Sequence, residues 1–106
     1  MDQRPSDREL YQRLAATLVA LAPENWKSAW IEADLLEDVG KASVFCMTAE
    51  GTTVQMDPGF EGFEVVDQTF VELRNLMRAS GHPGWRKALF RVEPNGHFHT
   101  EFDYAG

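Results

Sequence analysis

Cysteine is nearly absent from this chain: Cys46 is the only one among its 106 residues. A single thiol excludes a disulfide framework within the chain and any zinc site built from several cysteines. Cys46 lies in the apolar run at 44–47, where a thiol behaves as a small hydrophobic side chain. We therefore predict that Cys46 is buried and structural rather than reactive.

Long hydrophobic runs are also missing. Residues 1–8 are mostly polar and charged and precede an amphipathic stretch, so the sequence predicts neither a signal peptide nor a membrane span. With 43% hydrophobic residues, the chain has enough apolar side chains to fold, and its length suits a single domain over residues 1–106. We expect a soluble cytoplasmic protein.

Basic residues are scarce in the middle of the chain. Between Glu32 and Glu72 there are ten acidic residues and one basic residue, Lys41, whereas the whole chain carries a net charge of −7. Nucleic-acid binding needs a basic footprint, so this distribution argues against it and favours a basic protein partner, which the opposite potential would attract. The alternative is that the acidic side chains only keep the protein in solution.

The usual catalytic signatures are absent too. There is no phosphate-binding glycine loop, no nucleophile elbow and no Cys/His spacing typical of a metal site, so we predict neither an enzyme nor a bound metal or cofactor. One group keeps a small metal-dependent enzyme open as an alternative, because two histidines on one strand face could hold a metal ion. This group consists of His97, His99, Glu101 and Asp103. A solvent-exposed sheet face accounts for the same four residues equally well.

The end of the chain, by contrast, carries a clear β-hairpin pattern. Two strand-like runs, 85–93 and 97–104, flank Pro94, Asn95 and Gly96, which are residues typical of a tight turn. In the second run aromatic and polar residues alternate, so one face is predicted to meet the core and the other to meet solvent. A slip of one residue would bury the polar set, which strongly specifies the register.

The remaining patterns predict two helices and up to three further strands. Leucines at helical spacing indicate a first helix from a capping box at Ser6 to Pro23, and a second apolar stripe indicates a helix over 64–80. Alternating runs indicate strands at 26–36, 41–49 and 52–56, with a turn at 37–40 and a loop at 57–63. The fold class is therefore α+β, in the order α-β-β-(β)-α-β-β: an antiparallel sheet of four to five strands with both helices on one face.

The hairpin also carries a family resemblance. The matching residues, before and within the hairpin, are Trp85, Asn95, Gly96, Phe98, Phe102, Asp103 and Tyr104. In these residues and in its element order the chain resembles the YezG-like antitoxin family, immunity proteins of bacterial polymorphic toxin systems. The resemblance implies a small cytoplasmic protein that binds and neutralises a cognate toxin, often a nuclease. The matched residues themselves are typical of fold determinants rather than of a toxin-binding site.

Resemblance and charge together lead to a binding hypothesis. Nuclease toxins carry basic grooves, which a neutralising protein would meet with acidic side chains around an aromatic anchor. Trp26 and Trp30 are predicted to share the face of strand 26–36 that ends in acidic residues. The predicted partner-binding residues are Trp30, Glu32, Asp34, Glu37, Asp38, Asp57, Phe60, Glu61 and Glu64, with Trp30 or Phe60 as the anchor. A general protein-interaction domain without a toxin is the alternative, and exposed sheet edges could pair two copies.

Overall fold

Two helices and five strands make up the fold in the computed structural model, which describes residues 7–36, 39–81 and 85–103. In chain order they are α1 (Asp7–Leu21), β1 (Trp26–Leu36), β2 (Val39–Thr48), β3 (Thr53–Met56), α2 (Gly59–Ala79), β4 (Lys87–Val92) and β5 (Phe98–Asp103). The predicted α+β class and element order are confirmed, including the short third strand. The capping box at Ser6, residues 37–38 of the predicted turn, and the segments 82–84 and 104–106 lie outside the described residues.

All five strands pair antiparallel in one sheet, in the spatial order β3-β2-β1-β4-β5. β1 is central because it pairs with β2 on one side and with β4 on the other. Trp30 of β1 stands opposite Phe45 of β2 and Arg91 of β4. β2 begins at Val39, two residues before the predicted strand, because Leu36 and Val39 already pair. β3 and β5 are the two edge strands.

Both helices cover the same face of the sheet and enclose the hydrophobic core with it. The leucines at 10, 14 and 18 of α1 share one helix face and are fully buried, as predicted from their spacing. Val66, Phe70 and Leu73 of α2 are buried beside them, and Cys46 of β2 is buried as predicted. The central strand contributes Ala29, Ile31, Ala33 and Leu35. Among the described residues, neither helix is long and apolar enough to cross a membrane.

Trp85 joins the C-terminal hairpin to α2. Its side chain is 1% exposed and packs edge-on against Phe70 of α2, with ring centroids 6.0 Å apart. On the hairpin side the ring of Phe102 lies 5.1 Å from it. The indole N–H donates a hydrogen bond to the sulfur of Met77 at 3.3 Å. Two of the residues that carry the family resemblance therefore pack in or against the core.

The hairpin itself forms as predicted. Gly96 adopts a φ of 89°, a left-handed conformation that glycine tolerates, and the N–H of Glu93 donates to the carbonyl of His97 at 2.9 Å. The side-chain oxygen of Asn95 accepts a hydrogen bond from the N–H of His97 at 3.0 Å. The alternation of β5 turns its aromatic residues towards the helices and its polar residues to the opposite face.

The predicted position of Trp26 on the same sheet face as Trp30 is wrong. The pairing of β1 with β2 shifts between Trp26 and Ser28, so one residue is inserted into the ladder at this point. This irregularity turns Trp26 towards the helices, where it packs against the core, and leaves Lys27 exposed. The strict alternation of the two sheet faces along β1 therefore begins only after this irregularity.

The predicted loop at 57–63 is wrong from Gly59 onward, because α2 already begins there. The Asp57 carboxylate accepts a hydrogen bond from the N–H of Gly59 at 2.8 Å, and Pro58 directly precedes the first helical residue. Gly62 does not break the helix. A Cβ at this position would lie 2.9 Å from the Cβ of Pro58, so glycine permits the close approach of the proline to the first turn. The exposed residues of this segment are therefore held at helical spacing.

Candidate protein-binding site

The predicted partner-binding residues separate into two groups on the fold. Trp30, Glu32 and Asp34 alternate with the buried residues of β1, so they lie on the face of the sheet opposite the helices, here called the outer sheet face. The second group, here called the α2-start surface, consists of Asp57, Phe60, Glu61 and Glu64, with Val65 added by the structure. Glu37 and Asp38 lie outside the described residues.

Trp30 is held by other residues of its own chain. Its ring stacks against Phe45 of β2, with centroids 5.7 Å apart. The guanidinium carbon of Arg91 lies 5.6 Å from the centroid of the same ring, which places a cation over an aromatic face. Trp30 is only partly exposed as a result. The sequence pattern did not indicate Arg91 as its neighbour, since that contact depends on the pairing of β1 with β4.

The acidic residues of β1 lie among basic side chains. The Asp34 carboxylate accepts a hydrogen bond from Arg86 Nε at 3.2 Å, and in the sheet Asp34 stands between Lys41 and Lys87. Glu32 is exposed between Ser43 and Leu89. The outer sheet face is therefore close to charge balance, although the segment that contributes β1 and β2 is strongly acidic.

A shallow depression of about 630 Å³ lies over Leu89 on the outer sheet face. Its walls include charged side chains of both signs, among them Glu32, Lys87 and Glu101. His99 Nε2 and Glu101 Oε1 on the adjacent edge strand lie 3.2 Å apart. Within residues 7–36, 39–81 and 85–103, no three His, Cys, Asp or Glu side chains are grouped to hold a metal ion.

The α2-start surface differs from the outer sheet face because its acidic residues have no basic neighbours in the first turns of α2. The sequence contains no lysine or arginine between Lys41 and Arg74. Among the described residues, neither Glu61 nor Glu64 forms an ion pair. Asp57 uses one carboxylate oxygen at the helix start, where the positive end of the helix dipole favours an acid.

Phe60 is the most exposed large hydrophobic residue described in this structure, with 80% of its surface accessible. It lies one helical turn before Glu64, and Glu61 lies one turn before Val65, so the four side chains form one continuous patch. Val65 is itself 39% exposed. The i, i+4 spacing from Glu61 would have indicated Val65 from the sequence, had residues 57–63 been recognised as the start of a helix.

Other acidic residues of the 32–72 segment are engaged elsewhere. Glu72 pairs with Arg13 of α1 at 3.0 Å. Glu50, in the turn between β2 and β3, accepts a hydrogen bond from the Asn25 side chain at 2.9 Å. Hydrogen bonds from its own backbone N–H, from Thr48 and from Asn25 hold the pKa of Glu50 below its ordinary value. The segment therefore does not form one acidic surface.

A partly buried cation lies under the end of β1. Arg74 of α2 donates to the carbonyl of Leu35 at 3.4 Å, and burial, together with the nearby charge of Arg78, lowers the pKa of Arg74. This arginine interrupts the run of acidic residues along α2 well beyond its first turns. The exposed acidic and aromatic patch is therefore confined to the α2-start surface.

Comparison of the chain with protein-family models and with curated proteins finds no match. The resemblance to the YezG-like antitoxin family therefore stays a prediction based on the hairpin residues.

Proposed function

We propose that this chain is an immunity-type protein that binds and neutralises a basic protein toxin in the cytoplasm. Binding is stoichiometric, requires no catalysis, and uses the α2-start surface. The toxin is of the nuclease type, because a nucleic-acid groove supplies the basic surface that matches these carboxylates. The observation that carries the proposal is Phe60, an aromatic side chain 80% exposed between acidic residues.

The position of Phe60 is not explained by folding alone. A helix start favours acidic residues because of its dipole, so Glu61 by itself needs no partner. The dipole gives no reason for an exposed phenylalanine in the same turn. Aromatic side chains of this kind act as anchors when a partner buries them, and surrounding charges then select the partner and speed its approach.

The outer sheet face suits a basic partner less well. Trp30 already lies under Arg91, and Asp34 already pairs with Arg86. A cationic groove approaching this face would meet Lys41, Lys87 and Arg91 as well as the carboxylates. We therefore assign the anchor role to Phe60 rather than to Trp30.

Capture followed by neutralisation tests the proposal. The tagged chain is incubated at low ionic strength with lysate of the cells that encode it, and bound basic proteins are released with salt and identified. Each candidate is then expressed alone and together with the chain. We expect a partner that stops growth when expressed alone and is harmless when the chain is co-expressed.

Variants show whether the α2-start surface is responsible. Phe60→Ala should abolish protection, whereas Val19→Ala, which shortens another exposed apolar side chain on α1, should retain it. Both variants should fold, because neither side chain is buried. Capture of no basic protein, or a partner that Phe60→Ala neutralises as well as the wild type does, would contradict the proposal.

A further inference from the structure

The free edge of β5 presents three residues with outward-facing backbone groups. The N–H of Glu93 bonds to the carbonyl of His97, which identifies the side of the strand that β4 uses. Because this side alternates along an antiparallel strand, Phe98, Thr100 and Phe102 turn their N–H and C=O groups away from β4. Among the described residues, no other backbone group bonds to these outward groups.

We infer that this edge is an interface between two copies of the chain, which pair β5 with β5 antiparallel about Thr100. The order of side chains along residues 97–103 carries the inference, because it is symmetric about Thr100. A phenylalanine lies two residues to either side of Thr100, and each histidine before Thr100 has an acidic counterpart at the same distance after it. In this register Phe98 faces Phe102 of the second copy, His99 faces its Glu101, and His97 faces its Asp103. Aromatic side chains thus meet aromatic side chains on one face of the sheet, and each histidine meets an acidic side chain on the other face.

Backbone pairing adds to this complementarity. Three residue pairs would exchange hydrogen bonds across the two-fold axis, giving roughly six new bonds between the copies. The two five-stranded sheets would then become one continuous sheet. β3, the other edge, is only four residues long and offers no pair of opposite charges, so self-pairing there would be weaker.

The aromatic side chains of β5 indicate the same interface. Phe98 is 50% exposed although it packs against the rings of Tyr11 and Phe90, with centroids 5.3 Å and 5.7 Å away. Phe102 packs against Trp85 on the same face of the sheet. Bringing Phe98 of one copy against Phe102 of the other would join the two aromatic clusters and cover the exposed part of Phe98.

Charge explains why a second copy is a suitable occupant. The chain carries −7 overall, so two copies repel each other unless the contact itself supplies opposite charges. β5 supplies hydrogen-bonding partners for this contact through His99 and Glu101, which carry opposite charges when the imidazole is protonated and which also contact each other within the strand at 3.2 Å. On the neighbouring strand Arg91 stands opposite His99 and Lys87 opposite Asp103, so both signs are present across this end of the outer sheet face.

Sedimentation of the full chain over a concentration range from about 1 μM to about 500 μM tests the interface. We expect a monomer–dimer equilibrium. Thr100→Pro removes the outward N–H at the two-fold axis without removing a bond to β4, and it should weaken dimerisation more than about tenfold. The matched control, Thr100→Val, keeps that N–H and should dimerise like the wild type.

A charge exchange tests the register independently of proline. His99→Glu would oppose Glu101 of the second copy and weaken the dimer, while within its own chain the new carboxylate faces Arg91, so the monomer should stay folded. The double variant His99→Glu/Glu101→Lys should restore dimerisation to within about threefold of the wild type. Gln55→Pro, at the β3 edge, should have no effect.

Two results would overturn the inference. One is a wild-type chain that stays monomeric over the whole range. The other is a dimer that survives Thr100→Pro and His99→Glu, or that Gln55→Pro disrupts instead, since the contact would then lie elsewhere. Circular dichroism of every variant confirms that a loss of dimer is not a loss of fold, and the charge-exchange pair decides the question if Thr100→Pro unfolds.

Discussion

The outer sheet face and the α2-start surface are both built from aromatic and acidic residues, yet only one leaves them available. On the outer sheet face Trp30 lies under Arg91 and Asp34 pairs with Arg86. On the α2-start surface Phe60 is 80% exposed and Glu64 has no ion-pair partner among the described residues. Neighbouring strands neutralise the first set, whereas a helix without basic residues in its first turns leaves the second set open to a partner.

The largest expected effect is a loss of partner affinity in Phe60→Ala, which should not occur in Trp30→Ala. Phe60→Ala should weaken the complex with the basic partner by at least about 2 kcal/mol, a loss of roughly 30-fold in affinity, because it removes the anchor. Its melting temperature should stay close to that of the wild type, since the ring is exposed. Titration calorimetry and a thermal melt measure the two quantities, and a melt shift without an affinity change would contradict the assignment.

Trp30→Ala should give the opposite result. It removes the stack with Phe45 and the contact with Arg91, so we expect a loss of about 1–2 kcal/mol in the free energy of unfolding. Affinity for the partner, measured on the folded fraction, should not change. Urea denaturation gives the first quantity, and an affinity loss as large as that of Phe60→Ala would show that the partner uses the outer sheet face.

Charge reversal on α2 should act mainly on the rate of association. Glu61→Lys/Glu64→Lys should slow binding about tenfold at low ionic strength, and the difference should shrink as salt screens the surface. Glu24→Lys/Glu93→Lys, at two exposed acidic positions elsewhere, is the matched control for net charge. Stopped-flow measurements that slow equally for both double variants would indicate a general charge effect without a defined site.

The smallest effect is expected at Asp34. Its ion pair with Arg86 is partly exposed to solvent, so Asp34→Ala should change the free energy of unfolding by less than about 1 kcal/mol. Partner affinity should stay within about twofold, because this carboxylate is already paired. A marked loss of affinity in the same calorimetric titration would show that Asp34 belongs to the binding site.

Periodicity was sufficient for most of the fold because its signals are local. Leucines at helical spacing define α1, and the alternation of β5 fixes the register of the hairpin. Two local features were predicted wrongly, namely the orientation of Trp26 and the start of α2. The ladder irregularity that turns Trp26 inwards depends on how β1 pairs, and the predicted loop at 57–63 missed the helix start, where Gly62 accommodates Pro58. Both errors concern contacts between residues that the spacing of apolar side chains along the sequence does not indicate.

The site was harder to predict because charge balance is decided by residues distant in sequence. Asp34 and Arg86 are 52 positions apart and meet only because β1 pairs with β4. Counting acids along a segment gave Glu61, Glu64 and Asp34 the same weight, whereas among the described residues Asp34 forms an ion pair and the two glutamates form none. The assignment of Phe60 as anchor required its exposure, which the sequence alone did not supply.

The most direct measurement of the central claim is a titration of the isotopically labelled chain with its basic partner, followed by nuclear magnetic resonance. The indole N–H of Trp30 and the amides of Phe60, Glu64 and Val65 are separate probes of the two surfaces. Binding at the α2-start surface predicts that the resonances of Phe60, Glu64 and Val65 shift or broaden while the Trp30 indole stays in place. A shift of the Trp30 indole with unperturbed Phe60 would contradict the account.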